Sequence, residues 1–138
     1  MSKTLTLRGA VDAPDTRVVL TSGGDETAPS LVVPRGSTMI KSLSVVAAHD
    51  GGADDGSAIW FIRLGGNAVK SGEQTIIFGA SGNQSVQSGA DAAPNIMSPF
   101  MLKNADIEVQ EGDTISISAE YGGVDIGDGE VAVTIVFN

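Results

Sequence analysis

The chain has 138 residues, no cysteine, and 17 acidic against 8 basic side chains, a formal net charge of −9. The missing cysteine excludes a disulfide scaffold and any thiolate metal site, and the acidic surplus leaves no basic footprint for nucleic acid. No stretch approaches the roughly 18 continuous apolar residues that would span a membrane.

A chain of this size buries on the order of 13,000 Å² on folding, enough for a core without covalent staples. Aromatic residues make up only 4% of the sequence and glycine contributes 18 residues, so the core must be built from Val, Ile, Leu and Ala with glycine in the connections. Mean hydropathy is +0.13, slightly apolar for a small protein, which suggests that other copies cover part of the surface. The acidity reads as solubility, or as a match to a salty environment or a counter-charged partner.

In chain order, the opening Met-Ser-Lys-Thr-Leu-Thr-Leu already alternates like a strand. It lacks the apolar core and cleavage site of a signal peptide, so synthesis and assembly in the cytoplasm are expected. Period-two alternation bounded by turn residues then predicts strands at 3–8, 16–21, 30–33, 38–48, 58–64, 74–78, 106–109, 114–121 and 131–137. Turns fall near Pro14, Gly24 and Pro34, where proline presets φ, glycine supplies positive φ and aspartate bonds its own backbone. Short strands separated in this way predict an all-β, two-sheet antiparallel β-sandwich of jelly-roll type, with roughly eight or nine strands and little or no helix. Residues 1–138 are read as a single domain, with 1–29 as N-terminal strands or arm and 79–102 as a loop excursion.

One pattern occurs twice. Gly36 and Gly112 each open a strand, each strand enters an acidic, glycine-rich loop (49–56 and 122–129), and each loop returns into an alternating strand. Each unit reads as a β-hairpin arm. In the second arm Ile115, Ile117, Ala119 and Tyr121 share one face, and Val131, Val133, Ile135 and Phe137 point inward on the return strand. Overlaying the first arm places Met39, Leu43 and Val45 inward, with Lys41 out of phase, and Trp60, Ile62 and Leu64 inward on its return strand, with Arg63 outward.

The least strand-like stretch runs from Gly79 to Pro99, with 84–87 as a short candidate strand. A loop of that length in a compact chain is either a missed strand or a functional excursion. The apolar segment 96–102, bracketed by prolines, is expected to pack over the end of the sandwich or against a neighbouring subunit.

Catalytic signals are weak. The one histidine, His49, sits beside Asp50 at the mouth of an acidic loop, and no Gly-x-Ser-x-Gly elbow supplies a nucleophile for it. Gly79-Ala80-Ser81-Gly82 lacks the spacing, and the acids lie in hydrated loops that would not raise a carboxyl pKa for glycoside chemistry. The strongest of the weak chemical signals is a metal: Asp50, Asp54 and Asp55 crowd one loop, and Asp125, Asp128 and Glu130 the equivalent one. Calcium favours several hard oxygens on a flexible loop, but the spacing fails the EF-hand pattern and equally describes solvated turn tips. Trp60 and Tyr121 would make a sugar-stacking platform if exposed, but both fall on inward faces. The expectation is therefore no catalytic, cofactor or firm metal site, and no enzyme.

Three strings now combine: Val33-Pro34-Arg35-Gly36 before a long strand, Glu111-Gly112-Asp113-Thr114-Ile115 before another, and the strand at 131–137. Over residues 30–138 they resemble the single jelly-roll structural proteins of viruses, particularly capsid or decoration proteins of bacteriophages and archaeal viruses. The resemblance implies a homo-oligomer, a trimer or pentamer, with other capsid proteins as partners and the virion as location. It brings no catalytic residues. Interfaces are expected at the strand 3–8, at 79–102 and at open sheet edges. The alternative is a carbohydrate- or receptor-binding sandwich with calcium in the acidic loops, which would show a calcium-dependent rise in melting temperature.

Overall fold

The structure, a computed structural model, describes residues 3–22, 30–49, 58–79, 95–96, 100–123 and 129–138. Eleven strands form among them: β1 (Lys3–Ala10), β2 (Val18–Val19), β3 (Thr21–Ser22), β4 (Ser30–Val32), β5 (Met39–His49), β6 (Ala58–Gly65), β7 (Gln74–Gly79), β8 (Asn95–Ile96), β9 (Phe100–Glu108), β10 (Thr114–Gly123) and β11 (Gly129–Phe137). The described residues contain no helix. The predicted candidate at 84–87 lies outside them.

The strands form two antiparallel sheets. The first is ordered β3-β1-β11-β5-β8, with β9 also on β5; the second is ordered β2-β10-β6-β7, with β4 also on β10. Because β8 and β9 share one edge of β5, and β2 and β4 one edge of β10, each pair acts as a single interrupted strand. The chain passes between sheets in the sequence first, second, first, second, first, second, first, second, first, with β6 and β7 the one long neighbouring pair formed in chain order. This is the winding of a jelly roll, as the alternation predicts.

The two repeated arms are not hairpins. β5 and β6 lie in opposite sheets, and so do β10 and β11. Period-two alternation cannot distinguish the two cases, since both leave one face of each strand to bury. Connection length is the better guide. Eight residues separate β5 from β6 and five separate β10 from β11. A two-residue turn would enforce a hairpin, whereas lengths like these reach across the roughly 10 Å between packed sheets. The arms instead pair with each other: β5 with β11 through Val45↔Val133 and Leu43↔Ile135, and β6 with β10 through Trp60↔Tyr121 and Ile62↔Ala119.

The core follows from this pairing. Ile115, Ile117, Ala119 and Tyr121 from the second sheet face Val131, Val133, Ile135 and Phe137 from the first, all buried. Trp60 and Tyr121 are fully enclosed, ring centroids 5.3 Å apart. Each buried aliphatic or aromatic side chain contributes roughly 1.5–3 kcal/mol. Gly36 (φ 84°) and Gly112 (φ 82°) hold the left-handed conformation expected of the glycine that opens each arm.

The mismatch at Lys41 is a β-bulge. Val136 pairs with Ser42, but Phe137 pairs with Ile40, so Lys41 is an extra residue. The inward phase shifts there: Ile40 is buried, while Met39, expected inward, is only half-buried. Across the strand the irregularity is larger. Ile40 pairs with Ile107 and Ser42 with Lys103, leaving Asn104, Ala105 and Asp106 opposite a single residue. Asn104 (φ 58°) and Asp106 (φ 51°) take left-handed backbone, which their short polar side chains tolerate better than most.

Candidate interaction surfaces

The acids proposed for calcium fall mainly outside the described residues, namely Asp50, Asp54, Asp55, Asp125 and Asp128. Glu130 is described and lies exposed on the outer face of the first sheet, between Ala10 and Ala48. The register does bring together the described residues that flank the two acidic segments, because Gly129 pairs with His49 and Gly123 with Ala58. Among the described residues no group of three or more His, Asp or Glu is arranged to hold a metal ion. Trp60 and Tyr121, being interior, form no sugar platform. No helix among the described residues is long and apolar enough to cross a membrane.

Of the expected interface segments, the strand at 3–8 lies within a sheet, and 79–102 falls among the described residues only at 79, 95–96 and 100–102. The strand at 3–8 is the core of β1, paired with β11 along its whole length from Lys3↔Phe137 to Ala10↔Glu130. Residues 100–102 do not cap the end of the sandwich; they begin β9, with Phe100↔Val45 and Leu102↔Leu43. The bulge after Lys103 breaks the alternation that would have marked this strand in the sequence.

The outer faces of the two sheets differ chemically. On the first, Thr4, Thr6, Ala132, Thr134, Ser42 and Ser44 make a low uncharged centre, with Thr6 Oγ1 and Thr134 Oγ1 3.1 Å apart, and the same face carries exposed Arg8, Lys103 and Glu130 and the exposed apolar Val46 and Met101. On the second, two ion pairs lie within the face. Arg17 Nε donates to Ser118 Oγ (2.7 Å) and Arg17 also bridges Glu73 (2.8 Å). Arg63 bridges Glu120 (2.5 Å) and stacks over Phe61, 5.5 Å from the ring centroid.

Beyond these ion pairs the second sheet exposes large apolar side chains. Ile77 is 61% exposed, Ile59 49%, and half-buried Phe61 pairs directly with Ile77. The outward positions of Ile59 and Phe61 follow from Trp60, Ile62 and Leu64 being inward, so the patch on β6 is implicit in the alternation. The unbroken run Ile76-Ile77-Phe78 conceals the phase of β7.

A cavity of about 400 Å³ opens where β7 begins beside the β9 bulge, lined by Ser71, Gln74, Ala105, Asp106, Ile107 and Glu108. Its carboxylate Asp106 is engaged by Lys41 at 2.7 Å, and its wall holds no nucleophile set against a base.

No family model and no curated protein matches the chain. Solved structures that overlay on it include one of infectious bursal disease virus, Gx strain, at TM-score 0.43 and 13% identity over 99% of this chain. The chain spans about a third of that structure's length, 32%. The globular domain of zebrafish complement 1qA overlays at TM-score 0.43 and 8% identity, covering 98% of this chain and 96% of the other. Bacillus endospore appendage pili overlay at TM-score 0.33 and 13% identity, covering 100% and 88%. At TM-scores below 0.5 the likeness is loose, and the functional reading rests on this chain's own surfaces.

Proposed function

We propose that this chain is a non-enzymatic assembly protein, a capsid or capsid-decorating component of a virus particle, working through contacts between its own copies and with other capsid proteins. One observation carries the reading: Ile59, Phe61 and Ile77 form a contiguous apolar patch on a sheet face that also carries the paired charges Arg17–Glu73 and Arg63–Glu120. Large side chains held in water on a rigid sheet favour coverage by another protein surface. On this reading the protein ends in the virion as a trimer, pentamer or larger array. Electron microscopy of the purified protein tests it. Rings, particles or sheets are expected; a field of dispersed single molecules at high concentration overturns it.

A further inference from the structure

The four sheet margins are not equivalent, and the difference identifies one of them as a contact. An edge strand presents unpaired backbone groups to any other strand, and proteins blunt such edges with charge, proline, bulges or brevity. At the β9 margin both kinds of guard are present: the bulge at Asn104–Asp106, and Lys103, Asp106 and Glu108 along the strand. The β2/β4 margin is broken into pieces of two and three residues. The β1 margin is covered by β3 at Leu7 and Arg8 and carries Lys3 at its other end.

The β7 margin has none of these. Gln74 to Gly79 contains no charge and no proline, and pairs with β6 in unbroken register from Ile59↔Gly79 to Leu64↔Gln74. Glu73, the residue before the strand, is held by Arg17, and of the acids beside Gln74 in the cavity Asp106 is held by Lys41. Ile76 faces the core yet stays half-buried, because among the described residues nothing continues the sheet past it.

We infer that β7 is the site at which a second copy of this chain adds its own β7, antiparallel, extending the second sheet across a two-fold axis. This deepens the assembly reading and rests on it. The occupant is a copy of the chain because the edge complements itself. Opposed residues in an antiparallel pair point to the same face, so the axis must pass through a residue. Placed at Ile77, it sets Ile77 against Ile77 and joins the two Phe61–Ile77 rows into one apolar band. With Glu73 neutralised, two copies of a strongly acidic chain meet here without like charges on the strand. A two-fold contact of this kind is isologous, and in a shell it joins neighbouring oligomers.

The absence of native cysteine makes the test direct. Directly opposed strand residues have Cβ atoms about 4.5–5.5 Å apart, close enough for a disulfide after slight adjustment. The full-length Ile77→Cys variant is oxidised and run on a non-reducing gel beside Val19→Cys, an exposed position on the opposite margin. A covalent dimer is expected at 77 with at least tenfold less at 19. Ile77→Lys, an exposed substitution checked for folding by circular dichroism, is expected to lower the light-scattering mass at least twofold. An assembled wild type whose mass Ile77→Lys leaves unchanged, or whose cysteines cross-link equally at 19 and 77, overturns the β7 contact and leaves the assembly reading standing. A wild-type protein that is monomeric overturns both.

Discussion

The straight strands β6, β10 and β11 and the bulged strands β5 and β9 contribute to the same core, but they are built by different rules. In the straight set, inward and outward positions alternate without interruption, so Tyr121, Trp60 and Phe137 all end inside as their positions in the pattern require. In the bulged set, one extra residue at Lys41 and a larger insertion after Lys103 reset the phase. The same insertion that obscures β9 also guards it, while the regular β7 has no strand beyond it among the described residues. Irregularity here is a property of the protected margin, and regularity of the β7 margin.

The sharpest test of this contrast is a neighbouring pair. Ile40→Ala should cost about 2–5 kcal/mol in chemical denaturation, as a fully buried aliphatic does, while Met39→Ala should cost under about 1.5 kcal/mol. Equal costs, or the reverse order, would mean that β5 runs without a bulge. Next in size is Gly112→Ala. No atom lies within 4 Å of the added methyl, so only the left-handed backbone opposes it, at roughly 1–2 kcal/mol. A neutral result would remove the conformational reason for glycine at the head of β10. The smallest effect belongs to Lys41→Ala. The Lys41–Asp106 bridge spans the two bulges but is about half exposed, so its loss should cost less than about 1 kcal/mol and fade in salt. A larger loss would make the bridge, rather than the backbone, the element that fixes the bulge.

The jelly-roll class was legible because aliphatic residues recur at period two in strand after strand, and because Gly36 and Gly112 mark where long strands start. Pairing was not legible. β5 and β6 read as a hairpin because nothing in one strand's alternation states which sheet it joins. The predicted strand began only at Asp106, yet Asn104 and Asp106 both adopt turn-like φ values inside a strand that begins at Phe100. The sugar-platform possibility was settled by burial: Trp60 and Tyr121 lie on the inner faces that their alternation required. The apolar patch was half legible, through Ile59 and Phe61, and became visible as a patch only once Ile77 was placed beside Phe61.

The central claim is that this sandwich exists to assemble. Its most direct test is the mass of the unmodified full-length chain by light scattering across a concentration series. A defined multiple of 14.0 kDa that persists on dilution is the predicted result; a mass of 14.0 kDa at every concentration would contradict the account.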